Sequence, residues 1–439
     1  MQADKTTMDD LSIFNHDEDN SIFHLLDFTL TSGGKEWQRR FLSNPFNSIS
    51  EVEETQFILQ RMMSIQAQWA DTKITNGTIM VVQTFFETAI QDMPSHPGYV
   101  NSLSYRVLYS GDFSLVRYSV KHFVDFLSGM QQVQQLLAAD NNPAQLQSML
   151  ERIKKLLDKP VLQKTFSLPK EKKLSIQQIL ALGHFLKRYF KRETAELIEI
   201  YSKLDAWYSM ATACKKYQFC FPSFVNSDAA ILNATQLYHP LLPLAVAYDV
   251  QLSPEKNFLF LTGANMGGKS TFIKATGVAV YLAHVGMGVP AQSMELSLFD
   301  GLLSNINVED NLSKGESYFY NEVQRIKSTV AKLLDGKKWL VLIDELFKGT
   351  NVEDAMKCST VVIEGLLKDK HAIFILSTHL YEIGAALKQY PNIIFNYFET
   401  TIQDGQLLFN YTIKEGISND RIGYLILKRE GVVDMLAQL

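Results

Sequence analysis

From Ile22 to Tyr217 the apolar residues recur at helical spacing, whereas after Ala230 short, continuous apolar runs alternate with helical segments. These two periods predict an all-helical first half and a doubly wound α/β second half, meeting near residue 222. The clearest helical stretch places Ile176, Ile179, Leu180, Leu186, Tyr189, Phe190, Leu197, Ile200, Leu204 and Trp207 on one spacing without an intervening proline. It predicts a long helix or a broken hairpin. In the second half, Phe258–Leu261, Trp339–Ile343 and Ile373–Leu376 are apolar at every position. That pattern marks parallel strands buried on both faces, since a strand with one solvated face would alternate. Three segments are expected: a flexible lead-in over residues 1–20, a helical domain over 21–228, and an α/β domain over 229–439 that ends in a helical segment.

Composition changes this picture in two places. With 439 residues and 46% hydrophobic content the chain can bury several cores, and its three cysteines, Cys214, Cys220 and Cys358, are too scattered for a disulfide framework or a zinc site. The acidic, polar opening MQADKTTMDDLSIFNHDEDN lacks the basic end and apolar run of a secretory signal, and no stretch is apolar enough for a membrane span. A cytoplasmic protein without membrane contact is the expectation. The formal net charge of −5 conceals an asymmetry, because residues 151–216 hold 15 lysines or arginines against 7 acidic residues. A local excess of that size suits either the solvated face of long helices or a surface for nucleic-acid phosphates.

The chemistry is concentrated after residue 260. Gly263-Ala264-Asn265-Met266-Gly267-Gly268-Lys269-Ser270 fits G-x-x-x-x-G-K-[ST], directly after an expected strand and before an expected helix. In such a loop, glycines let backbone N–H groups close on phosphate oxygens, and a helix N-terminus adds positive potential. Lys269 reaches the β and γ phosphates of ATP, and Ser270 offers a hydroxyl to Mg²⁺. Seventy-five residues beyond Lys269, the apolar run from Trp339 ends in Asp344-Glu345. Asp344 is expected to hold the magnesium, and Glu345 to orient or deprotonate the attacking water. Ser377-Thr378-His379 ends another strand, where the imidazole of His379 is placed to sense the γ phosphate.

These residues resemble the MutS family. Thr262 to Thr271, with its Asn265-Met266 pair, looks like the MutS Walker A segment. Leu312-Ser313-Lys314-Gly315-Glu316-Ser317-Tyr318-Phe319-Tyr320-Asn321-Glu322 resembles its signature segment. Asp344-Glu345-Leu346 through Gly349-Thr350 resembles its Walker B, and Ser377-Thr378-His379 its switch histidine. Upstream, Ser21 to Pro45, Leu204 to Tyr217 and His239-Pro240 are similar to parts of the family's core, lever and entry to the ATPase, and Lys414 to Gly423 to its last segment. Phe347 and Lys348 stand where the family carries a glycine and an arginine, and Tyr318 and Tyr320 where it carries threonine and methionine. The resemblance implies an α+β multidomain protein, with an all-α core and lever followed by an ABC-type P-loop ATPase domain whose C-terminal helical segment dimerises. It further implies a homodimer in which Ser317 of one subunit faces the γ phosphate held by the other, Tyr411 beside the adenine, and Thr271 within the phosphate cradle. DNA bound through the helical arm, and repair proteins, are the implied partners, in a short form without the family's mismatch-reading and connector domains. A switch acting on branched nucleic acid or on a protein or ribonucleoprotein is the second reading. A small-molecule kinase is the third, and it fits least, because Glu345 beside Asp344 suits water activation better than an acceptor hydroxyl.

Overall fold

The computed structural model describes residues 1–69, 72–167, 174–264, 266–306, 318–403, 406–418 and 431–436. Its eleven strands among these residues are β1 (Gln2–Ala3), β2 (Ser223–Val225), β3 (Leu232–Leu237), β4 (Tyr248–Leu252), β5 (Phe258–Gly263), β6 (Ser293–Ser297), β7 (Gly301–Asn305), β8 (Trp339–Asp344), β9 (Ile373–Ser377), β10 (Ile393–Gln403) and β11 (Gln406–Glu415). The chain divides into two compact units. One comprises Met1–Leu25, Asn44–Glu53 and Lys216–Leu439, and the other Leu26–Ser43 and Glu54–Lys215.

The first unit is built on a seven-stranded sheet of order β1-β7-β8-β9-β5-β10-β11, parallel throughout except for β11, which runs antiparallel to β10. A smaller sheet of order β2-β6-β3-β4 accompanies it. β5, β8 and β9 coincide with the three continuous apolar runs, and each is buried at nearly every position because both faces of the sheet are covered. Register decides what this sheet presents. Leu261 of β5 and Asp344 of β8 both pair with Ser377 of β9, so the three strands finish side by side. The helix Lys269–His284 returns from β5 against the sheet so closely that a Cβ on Gly277 would come within 2.7 Å of Leu342. Its last residue, His284, is fully buried and accepts a hydrogen bond from the Phe299 amide at 2.9 Å, and burial drives its imidazole down to about 3, so the ring is neutral.

Residues 1–20 are not a flexible lead-in. Gln2–Ala3 forms the sheet edge against β7, and the helix Lys5–Asp10 follows with Asp4 as its N-cap. The acidic residues that suggested a solvated segment are partner groups. Asp10 is buried and accepts from the Ser304 hydroxyl and, at 3.1 Å, from the Ile306 amide. Burial raises the Asp4 carboxyl, but hydrogen bonds from Arg325 and Thr7 outweigh that and hold it well below the usual carboxylate range. The boundaries differ accordingly from those expected, since residues 1–25, 44–53 and 216–228 fall in the α/β unit.

The second unit is helical, and its long expected stretch is two helices, Ile176–Tyr189 and Lys191–Lys216, interrupted at Phe190. A capping box of Ser175 and Gln178 starts the first. Trp69 stacks between Tyr201 and Tyr208, with ring centroids 6.1 and 5.1 Å away. Asp205 is a buried carboxylate that accepts from the Thr31 amide at 2.9 Å and its hydroxyl at 2.7 Å, and burial raises it to about 6. The basic stretch is partly committed to the fold. Lys187 donates to the carbonyls of Phe85, Phe86 and Thr88 at 2.5, 3.1 and 2.8 Å, capping the helix Asn76–Glu87, while Arg188 pairs with Asp92 and Arg152 with Glu196. Lys154, Lys155, Lys191 and Arg192 are exposed, and Lys172 and Lys173 lie outside the described residues. No helix among the described residues is long and apolar enough to cross a membrane.

Candidate active site

The ends of β5, β8 and β9 open on a cleft of about 690 Å³, as expected for an open parallel sheet, where sites form beyond the carboxyl ends of the strands. Ala264, Met266, Gly267 and Gly268 line it from the loop after β5, and Lys269, Ser270 and Thr271 from the first turn of the helix that follows. Asp344, Glu345 and Lys348 come from β8 and its following loop, His379 from the end of β9, and Tyr411 from β11. Gly263 closes β5, and its φ of +134° lies in the region open chiefly to glycine. Gly268, at +106°, begins the helix, and a Cβ there would sit 3.2 Å from Phe398 and 3.3 Å from Tyr411. Asn265 and Ser317 lie outside the described residues, as does most of the signature segment.

Lys269 is largely buried and donates to the carbonyls of Gly263 at 2.7 Å and Ala264 at 2.9 Å. Burial brings its ammonium down to about 8 against the opposing pull of Asp344 and Glu345, so at pH 7 it remains mostly a cation facing the cleft. The hydroxyls of Ser270, at 2.5 Å, and of Ser377 each donate to one oxygen of Asp344, which fixes that carboxylate at the mouth of β8. Ser270 and Asp344 together form a hard oxygen pair suited to Mg²⁺, an ion that takes few protein ligands and completes its shell with water and phosphate.

Glu345 adopts φ of +72°, uncommon for a residue with a side chain, and its amide donates to the Ser377 carbonyl at 2.9 Å. Its carboxylate is 3.6 Å from the Lys348 ammonium. His379 is held below its ordinary value by burial first and by the charge of Lys269 second, so the imidazole is neutral at pH 7. The remaining lining is apolar and was not singled out from the sequence. Leu242, Leu244, Val246 and Tyr248 come from the segment after His239 and from β4, with Leu244 95% exposed. The apolar run Leu241-Leu242-Pro243-Leu244-Ala245-Val246, set between two strands, is the one signal that could have marked this wall, but only beside a known cleft.

Residues 259–436 match the family model of MutS domain V. The chain is 27% identical over 267 residues to the DNA mismatch repair protein MutS of Staphylococcus haemolyticus, covering 60% of this chain and 30% of that protein. It is 30% identical over 244 residues to the protein of the same name from Lysinibacillus sphaericus, covering 54% and 28%. A third, from Pseudothermotoga lettingae, is 28% identical over 232 residues, covering 52% and 28%. The matched region thus spans less than a third of the length of these curated relatives.

Proposed function

We propose that the chain, whose residues 259–436 match the family model of MutS domain V, is a MutS-type protein whose cleft binds magnesium–ATP and hydrolyses it. The observation that carries this reading is the shared finish of β5, β8 and β9, which gathers Lys269, Ser270, Asp344, Glu345 and His379 around one opening. Lys269 and the amides of residues 263–271 bind the phosphates, and Ser270 and Asp344 hold the magnesium. Bound there, the ion neutralises charge on the phosphate oxygens. Glu345 orients a water and accepts its proton, with the Lys348 ammonium directing the carboxylate. His379, neutral and half-enclosed beside Lys269, offers one ring nitrogen to the water or to the γ phosphate. Tyr411 and the Leu242–Tyr248 wall supply apolar surface for the base. The full site is a composite one, in which Ser317 of one subunit completes the cleft of its partner in a homodimer.

The wider role we infer is DNA binding related to mismatch repair, with the helical unit gripping the nucleic acid and repair proteins as further partners. Arg152, Lys187 and Arg188 are engaged within the fold, and among the exposed cations of the stretch we take Lys154, Lys155, Lys191 and Arg192 as phosphate-facing candidates. Reversing those four charges should weaken duplex binding and flatten the salt dependence by about 0.9 in log–log slope for each phosphate no longer neutralised. Lys187→Glu should instead lower the thermal midpoint, because three carbonyls lose their donor. Equal affinity and slope in the four-residue variant, or no binding of duplex DNA at low salt, would remove the arm from DNA recognition and favour a protein partner.

A further inference from the structure

We propose that Glu322 is a positioning residue for Glu345, holding the loop after β8 so that the catalytic carboxylate faces the cleft. The inference rests on the reading of the cleft as an ATPase site. Glu322 lies in the first turns of the helix Tyr318–Leu333 and is only 2% exposed. Its two carboxylate oxygens accept from consecutive backbone amides of the loop, Lys348 at 3.1 Å and Gly349 at 3.2 Å. A carboxylate taken out of water needs such partners, and two adjacent amides facing one carboxylate make a fork that tolerates little displacement.

The loop it grips is one that would not hold its shape unaided. Glu345 and Phe347 both have left-handed backbones, at φ +72° and +60°, which persist in residues with side chains only where the surroundings over-determine them. Three tethers do so here. The Glu345 amide is bound to Ser377, the Phe347 ring packs on Phe319 with centroids 5.6 Å apart, and Glu322 takes the two amides that follow. Two of the three come from the opening turns of a single helix. Glu322 acts only through the loop.

The test is steady-state hydrolysis and ATP binding in the full chain, for Glu322→Ala and Glu322→Gln, each alone and combined with Glu345→Gln. Glu322→Ala should lower kcat about tenfold or more while KM and ATP affinity stay within about twofold, because the phosphate cradle is untouched. Glu322→Gln keeps one acceptor oxygen but turns an NH₂ toward the second amide, so it should recover part of the loss. In the Glu345→Gln background, Glu322→Ala should cost nothing further, since the group it positions is already gone. An unchanged kcat in either variant, a parallel loss of ATP affinity, or losses that multiply in the double variant would overturn the proposal. Should the alanine variant fold poorly, the glutamine variant, equal in size, decides by the same criteria. A wild-type chain that neither binds nor hydrolyses ATP would defeat the reading of the cleft, whereas a hydrolysing wild type with an indifferent Glu322 would defeat only this inference.

Discussion

Glu345→Gln is expected to lower the rate of ATP hydrolysis by about 10²-fold or more while leaving ATP affinity within about twofold, the range for removing a general base. The substitution preserves shape. The left-handed backbone of Glu345 and the bond from its amide to Ser377 involve no carboxylate oxygen, so glutamine can occupy the same place. Lys269, Ser270 and Asp344 keep their hydrogen bonds, and the loop retains its grip from Glu322. What disappears is the proton acceptor and the charge that answers Lys348. Rapid-quench turnover beside equilibrium ATP binding separates the two effects, and near-normal turnover with normal binding would take Glu345 out of the chemistry.

A second result of comparable size is expected from mixing two inactive chains. Lys269→Ala removes the phosphate cation, and Ser317→Arg blocks the group that the partner subunit would present, so each homodimer should be silent. In a mixed dimer one composite site carries both lesions and the other carries none. Random exchange makes about half the dimers mixed, with one working site each, so an equimolar mixture should regain about a quarter of wild-type activity. Silence in a mixture whose heterodimers have been captured through two different tags would show that each subunit's cleft works alone.

The strands that frame the cleft were legible because burial on both faces leaves an unbroken apolar run, as in Phe258–Leu261 and Ile373–Leu376. The phosphate-binding loop was legible because its glycines and Lys269 are consecutive in sequence. Tyr248 was not singled out, and Lys348 and Glu322 were named only as a departure from the family's pattern and as the end of its signature-like segment, since their importance arises from what the fold sets beside them: an exposed apolar wall, a carboxylate 3.6 Å away, two loop amides. The acidic lead-in misled for a related reason. Composition cannot separate a solvated aspartate from one such as Asp10, buried against Ser304 and Ile306. The same limit applies to the basic stretch. Lys187 and Lys191 are four residues apart, yet one is tied to three carbonyls and the other is exposed.

The most direct test of the account is a calorimetric titration of the wild-type chain and of Lys269→Ala with ATP in the presence of Mg²⁺. Lys269 is the one cation that the loop itself carries into the cleft, buried enough for its charge to act with little screening. The account predicts saturable binding to wild type that requires Mg²⁺ for full affinity, and binding to Lys269→Ala weakened about 100-fold or beyond detection. Absence of binding to the wild-type chain, or equal affinity in the two proteins, would contradict it.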